Sequence, residues 1–178
     1  IASYSQLGLT EIAAVRATLD YGEVGQATPE VRAVAAVNPD STLIPVARSN
    51  GVLLAGVFPT TNLSGQTVYF DGPGGLVPGR AGVITMDGWT WEQMAVSTEA
   101  GLVLNWPSMR SVNAWWMNRN REEQERETDR TLGIIEKLFD DALAYRDAGR
   151  GKDGPKDLRF EAMADLLPPP AGLQAAAP

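Results

Sequence analysis

The order of apolar and polar residues divides the chain into segments of different predicted structure. A continuous apolar run at residues 52–58 is typical of a strand buried on both faces. It directly follows Asn50-Gly51, a pair that ends helices in the left-handed conformation, so a short helix is predicted from about residue 40 or 41 to this pair. A helix, a glycine and a buried strand in succession indicate an α/β unit.

Other local signals predict the rest of the first two thirds of the chain. Thr28 followed by Pro29 is typical of a helix start, because a threonine caps the helix and proline fits its first position. The remaining predictions are, in chain order, a strand and glycine loop at 1–9, a loop with one helical turn at 10–24, the helix from Thr28 through Val37, a glycine-rich loop at 60–88 with short strands near 67–70 and 82–86, a short helix at 89–94 and a strand at 102–107.

A long helix is predicted for residues 118–148, and Gly149 and Gly151 are the signals that end it. Its first part, residues 119–130, is nearly all charged, and an apolar stripe begins only at Leu132. The stripe continues at helical spacing through Ile135, Leu138, Phe139, Ala142 and Tyr145. A further short helix is predicted at 157–167, and residues 168–178 are a predicted tail or linker that is rich in proline and alanine.

The opening nine residues carry the first sign of a known family. They resemble the first barrel strand of the metal-dependent amidohydrolases, specifically of the imidazolonepropionase-like branch. In that family the strand reads apolar-Asp-Ala-His-x-His-Leu-Gly, and its two histidines hold the catalytic metal. In this chain Tyr4 and Gln6 stand at the two histidine positions, before a matching Leu7-Gly8.

Three further blocks extend the resemblance in the same order along the chain, to about residue 116. Residues 38–52 resemble a run that reads NPDS…IPVAR.NG in the branch, residues 74–81 its GG.I.G.SA block, and residues 87–94 its DGWTWEDM block. The resemblance implies an α/β fold that is part of a TIM-type (β/α)8 barrel. It also implies a hydrolase that acts on carbon-nitrogen bonds other than peptide bonds.

The resemblance further implies that the chain is one part of a longer protein. Family members are more than twice as long, and this chain starts without methionine inside a predicted strand. We therefore expect residues 1–167 to be a partial barrel domain whose partner is the remainder of the barrel or a complementary chain, in an oligomer. An exported, periplasmic location stays open for the same reason.

The residue types at positions 4 and 6 argue against the family's usual metal site. Zinc binds imidazole, thiolate or carboxylate, and a neutral phenol or a carboxamide does not compete with these groups. If the register is correct, Tyr4 and Gln6 point to the same face of a strand, because side chains alternate. The competing interpretation is that both are ordinary strand residues and the alignment is shifted. We predict no metal ligand and no cofactor site in this chain, and a divalent metal such as zinc only with ligands from outside it.

The composition of the chain limits the catalytic groups, metal ligands and partners that are available to it. The chain has no histidine and no cysteine, so it offers neither the usual general base nor a thiolate nucleophile or ligand. Its net charge of −7, from 15 basic and 22 acidic residues, provides no basic patch for nucleic acid. No apolar run reaches the length of roughly 18 to 20 residues that a membrane helix needs. We therefore expect neither nucleic acid nor membrane as a partner.

Three other sets of residues have both a functional and an ordinary interpretation. Residues 74–80 have the spacing of a phosphate-binding loop, but Arg80 replaces its lysine and Ala81 its hydroxyl residue, which favours a glycine-rich lid. The tryptophans are more typical of a core or an interface than of a ligand site, and one ring of the pair at 115 and 116 is expected to pack on a segment outside this chain. The candidate acids are Glu11, Asp20, Glu23, Asp71 and Asp87, and the sequence does not pair them.

Two functional hypotheses follow, and the catalytic residues remain unknown under both. The first is an amidohydrolase-like hydrolase with an altered or lost metal site. The second is a non-catalytic homologue that serves as a subunit for binding a small molecule or for assembly. The residues alone do not decide whether the chain is an enzyme.

Overall fold

A computed structural model describes residues 1–12, 14–60, 75–111, 120–150 and 155–167. The chain divides into two compact units, Ile1–Leu104 and Asn105–Pro178. The first unit contains strands β1 Ala2–Ser5, β2 Leu54–Val57, β3 Gly79–Thr85 and β4 Ala95–Val103, helices α1 Leu43–Ser49 and α2 Trp91–Met94, and 3₁₀ turns at Arg16–Thr18 and Ala33–Ala36. The second unit contains helices α3 Arg121–Asp147 and α4 Leu158–Ala164.

The four strands form one mixed sheet in the order β1-β2-β3-β4. Strands β1 and β2 are parallel, with α1 in the connection between them, which confirms the predicted α/β character. Strand β3 is antiparallel to both β2 and β4, whereas the strands of a TIM-type barrel are all parallel. For β3 and β4 the reason is their short link: parallel neighbours need a crossover of a dozen or more residues, whereas α2 and its flanks supply fewer.

Helix α1 and strand β2 lie where their local signals predict them. The helix ends at Ser49, Asn50 is its C-cap, and Gly51 adopts the left-handed conformation with φ of +85°. The strand is shorter than the predicted apolar run: it covers only Leu54–Val57. Leu53, in the first part of the run, is 68% exposed. It pairs on both sides and therefore lies in the interior of the sheet rather than at an uncovered edge.

The helix predicted from Thr28 through Val37 is wrong, since only the 3₁₀ turn Ala33–Ala36 forms there. The Thr28 hydroxyl caps no helix and instead donates to the Val77 carbonyl. The Thr28 amide also donates to the Val77 carbonyl, at 2.8 Å, and the Arg80 amide donates to the Val31 carbonyl at 2.7 Å. Backbone groups that a helix would need are thus bonded to the start of β3 and the loop before it.

The core of the first unit lies between this 3₁₀ segment, α1 and the sheet. Its members are buried apolar residues from every part of the unit: Leu9, Ala33, Val34, Val37, Ile44, Ala55, Val57, Ile84, Met86 and Met94. Gly82 lets Val34 approach the sheet, because a Cβ atom there would lie 2.1 Å from Val34 Cγ2 and 2.6 Å from the Ser97 carbonyl oxygen. The packing of the 3₁₀ segment on β3 therefore requires glycine at position 82.

The remaining predictions for the first unit are met in part. The strand predicted at 102–107 starts earlier, at Ala95, and ends at Val103. Its first half contains Ser97, Thr98 and Glu99 and so lacks an apolar run, as an edge strand can. Helix α2 begins after Thr90, whose side chain accepts from the Gln93 amide. The predicted strand at 67–70 and the tryptophan pair at 115 and 116 lie outside the described residues.

The second unit confirms the long helix and the short one after it. A capping box of Asn120 and Glu123 starts α3, and exposed pairs such as Arg121 with Glu125 follow in its first turns. Its buried residues are Thr131, Ile135 and Ala142. The Tyr145 hydroxyl donates to Glu161 of α4 at 3.2 Å, and burial together with this hydrogen bond raises the pKa of Tyr145. Helix α4 starts at its cap, Asp157, and contributes buried Ala162, Met163 and Ala164.

In the described ranges, no helix is both long enough and apolar enough to cross a membrane.

Replacing Gly82 with alanine tests the close approach of Val34 to the sheet. We expect Gly82→Ala to lower the free energy of unfolding by about 3 kcal/mol, because one of the two atoms in the way belongs to rigid backbone. Gly101→Ala in β4 is the matched control, since a Cβ atom there meets nothing within 4 Å, and it should change stability by less than about 0.5 kcal/mol. Equal effects in urea unfolding would contradict the packing described.

Hydrogen exchange tests how α3 is stabilised. We expect amide protection to concentrate between Leu132 and Tyr145, because the described residues 121–130 are held mainly by exposed ion pairs whereas the later turns pack on α4. Strong protection that begins at Arg121 and equals that of the later turns would show that the first turns are covered.

Candidate functional site

The candidate site lies where β1 and β2 end at the same edge of the sheet. The two strands are parallel, with Ser5 opposite Val57, and the Phe58 amide donates to the Ser5 carbonyl at 3.1 Å. The Ser5 hydroxyl donates to the Gly56 carbonyl at 2.9 Å. The segments that follow, from Gln6 and from Phe58, therefore leave the sheet side by side.

Tyr4 lies on β1 and contacts the first residue beyond β2. Its ring centroid is 4.7 Å from that of Phe58, with an angle of 34° between the planes. The side chain is nevertheless 65% exposed, and its hydroxyl has no hydrogen-bond partner among the described residues. The phenol at this edge is thus anchored through its ring and open at its polar end.

Gln6 lies one residue beyond the end of β1, so the prediction that both residues share one regular strand is met only for Tyr4. Its carbonyl accepts from the Leu9 amide at 2.9 Å in a tight turn. In that turn Gly8 has φ of +78°, and a Cβ atom on it would lie 2.7 Å from Val37 Cγ1. The half-buried Gln6 carboxamide has no hydrogen-bond partner in the described part of the chain.

Two further polar residues lie close to this edge. Thr60 was not identified from the sequence, and Glu11 was named only among the candidate acids. Thr60 follows β2, is buried, and its amide donates to the Tyr21 carbonyl at 2.7 Å. Glu11 follows the Gln6 turn, and its Oε2 accepts from the Thr42 hydroxyl at 3.3 Å, whereas its Oε1 is buried without a partner. No sequence signal marks Thr60, because its position depends on the pairing of β2 with β1.

Among the other candidate acids, Asp87 lies away from this edge. Asp87 lies at the opposite end of β2, since the neighbouring Met86 amide donates to the Leu53 carbonyl just before that strand. There Asp87 forms an exposed ion pair with Arg48 at 2.8 Å. Asp20 is exposed, and its amide donates to the Leu9 carbonyl at 2.8 Å, next to the turn that carries Gln6. Glu23 is exposed, and Asp71 lies outside the described residues. The described residues contain no group of three or more His, Cys, Asp or Glu side chains that could hold a metal ion.

Arg80, the basic residue of the possible phosphate-binding loop, is turned inward. Its side chain is 7% exposed, forms an ion pair with Glu99 of β4, and donates from Nε to the Pro29 carbonyl at 3.1 Å. Glu99 also pairs with Arg32 at 2.7 Å. These contacts join the 3₁₀ segment to β3 and β4, so the guanidinium has an internal role that the sequence did not indicate.

The tryptophans do not gather into a ligand site in the described residues. Trp91 is partly buried and packs against the core, whereas Trp89 is 87% exposed. Trp106 is also exposed and belongs to the second unit. The core interpretation thus fits Trp91 alone among the described tryptophans.

A comparison with solved structures shows where this fold recurs. The chain is similar to part of the crystal structure of an amidohydrolase from Thermotoga maritima MSB8, with a TM-score of 0.63 and 20% sequence identity. The similarity covers 90% of this chain but 40% of that one. No family model and no curated protein matches the sequence.

Glu99→Gln tests the internal role of Arg80. The variant removes the charge that faces a buried guanidinium, so we expect a loss of about 2 kcal/mol in the free energy of unfolding, less than for a fully buried pair because Glu99 is partly exposed. The matched control is Asp87→Asn, which breaks an exposed pair and should cost under about 0.5 kcal/mol. Indistinguishable losses for the two variants would contradict the assignment.

The mixed α/β fold of this chain is therefore shared with part of an amidohydrolase structure that is more than twice as long.

Proposed function

We propose that this chain is part of an amidohydrolase-type protein of the imidazolonepropionase-like branch, and that the protein hydrolyses carbon-nitrogen bonds other than peptide bonds. Three features support the proposal: the four sequence blocks in family order, the parallel β1-α1-β2 unit, and the similarity of nine tenths of the chain to an amidohydrolase structure. The last of these supports the fold, and the sequence blocks support the branch.

The observation that carries the proposal is the position of Tyr4 and Gln6 at the carboxyl end of β1. In a TIM-type barrel the chemistry occurs at the carboxyl ends of the strands. The pair β1 and β2, with the helix between them, fits the start of such a barrel, while β3 and β4 are an antiparallel addition at its side. On this proposal residues 1–167 belong to the barrel domain and residues 168–178 form a tail.

The residues at this edge do not fit the metal that the family implies. Zinc takes imidazole, thiolate or carboxylate ligands, and the chain has no histidine or cysteine. The ring of Tyr4 is stacked on Phe58, and Gln6 offers a neutral carboxamide. On this proposal any metal of the whole protein is held by residues outside this chain, and we derive no catalytic step through it.

The groups that remain at this edge favour neutral hydrogen bonding. The Tyr4 hydroxyl donates and accepts, and the Gln6 carboxamide presents two N–H donors and one carbonyl acceptor. Both are free of hydrogen-bond partners in the described part of the chain, and the Tyr4 ring contacts that of Phe58. They suit the binding of an uncharged polar group such as the amide of a substrate.

The residue types at the end of β1 also support a second candidate function. A chain without histidine, whose described residues contain no group of three or more acids that could hold a metal ion, also fits a non-catalytic homologue that binds a small molecule or serves assembly. The two candidates differ in the part of the protein that lies outside this chain. Metal-binding histidines and an aspartate on its later strands favour an enzyme, and their absence favours the binding subunit.

Elemental analysis tests the altered metal site. Protein purified without a histidine tag or added metal should hold well under one zinc per chain, because neither Tyr4 nor Gln6 is a zinc ligand. Stoichiometric zinc bound to these 178 residues would contradict the proposal and show that carboxylates of the chain bind metal.

Introducing histidines at positions 4 and 6 tests the same claim in the opposite direction, because it should create metal binding. In the full-length protein, Tyr4→His with Gln6→His should bind zinc at least about tenfold more tightly than the unchanged protein, if further ligands lie near this edge. The control is Val96→His with Thr98→His, which places the same spacing on β4 and reports the affinity of an isolated histidine pair. If the first pair binds no better than the control, Tyr4 and Gln6 do not face a common site.

Light scattering tests the proposed partner. Strand β1 is at the edge of the sheet, no described strand pairs with its outer side, and Ile1 and Tyr4 are exposed there. An uncovered edge of this kind favours pairing with another strand, so we expect the isolated chain to associate with itself or with a complementary chain. A compact monomer that persists at high concentration would count against the proposal that the edge is completed by another segment.

A further inference from the structure

We draw no further inference here: the strongest candidate, the open groove between helix α1 and the turn at residues 86–89, has a floor of side chains that already lie buried in the core, and nothing in the structure shows what covers it.

Discussion

The arrangement of the first unit depends on the close contact between the segment around Val34 and the sheet. That contact needs a backbone without a side chain at Gly82 and again at Gly8, where Val37 takes the space of a Cβ atom. The segment is held there by backbone hydrogen bonds to the start of β3 and by the ion pairs of Glu99. Because it touches both β3 and the turn after β1, it joins the middle of the sheet to the candidate site.

The position of the site residues follows from this contact. The Asn38 amide donates to the Gly8 carbonyl at 2.9 Å, and the adjacent Leu9 is almost completely buried. The turn that carries Gln6 is therefore fixed against the core, while the parallel pairing of β1 and β2 fixes Phe58 beside it. Tyr4 and Gln6 thus occupy a defined edge whose donor groups are unlike those of a metal site.

Local signals predicted the elements that local interactions determine. Helix α1, with its Asn50-Gly51 end, and α3, with its apolar stripe, lie within a few residues of their predicted limits. The helix after Thr28 failed because its backbone pairs with residues about 50 positions later, which no local pattern reveals. The early start of β4 was missed for a related reason, since polar residues of an edge strand carry no apolar run.

The candidate site was predictable to a similar degree. Tyr4 and Gln6 were identified because they stand at the histidine positions of the family that the opening residues resemble; Tyr4 lies on β1, whereas Gln6 lies one residue beyond its end. The absence of Asp87 from that edge was not predictable, because it depends on β3 running antiparallel to β2. Nor could the burial of Arg80 be foreseen, since its counter-charge Glu99 lies on a strand whose pairing the sequence did not indicate.

The central claim is that the shared end of β1 and β2 is an ordered edge that does not bind a divalent metal. Paramagnetic broadening by Mn²⁺ in the amide NMR spectrum of this chain tests it most directly, because the effect reports the position of a bound ion residue by residue. The account predicts that the amides of Ser5, Gln6 and Phe58 broaden no more than those of exposed acidic segments such as Glu122 and Glu123. Selective broadening of the three amides at low Mn²⁺ concentration would contradict it.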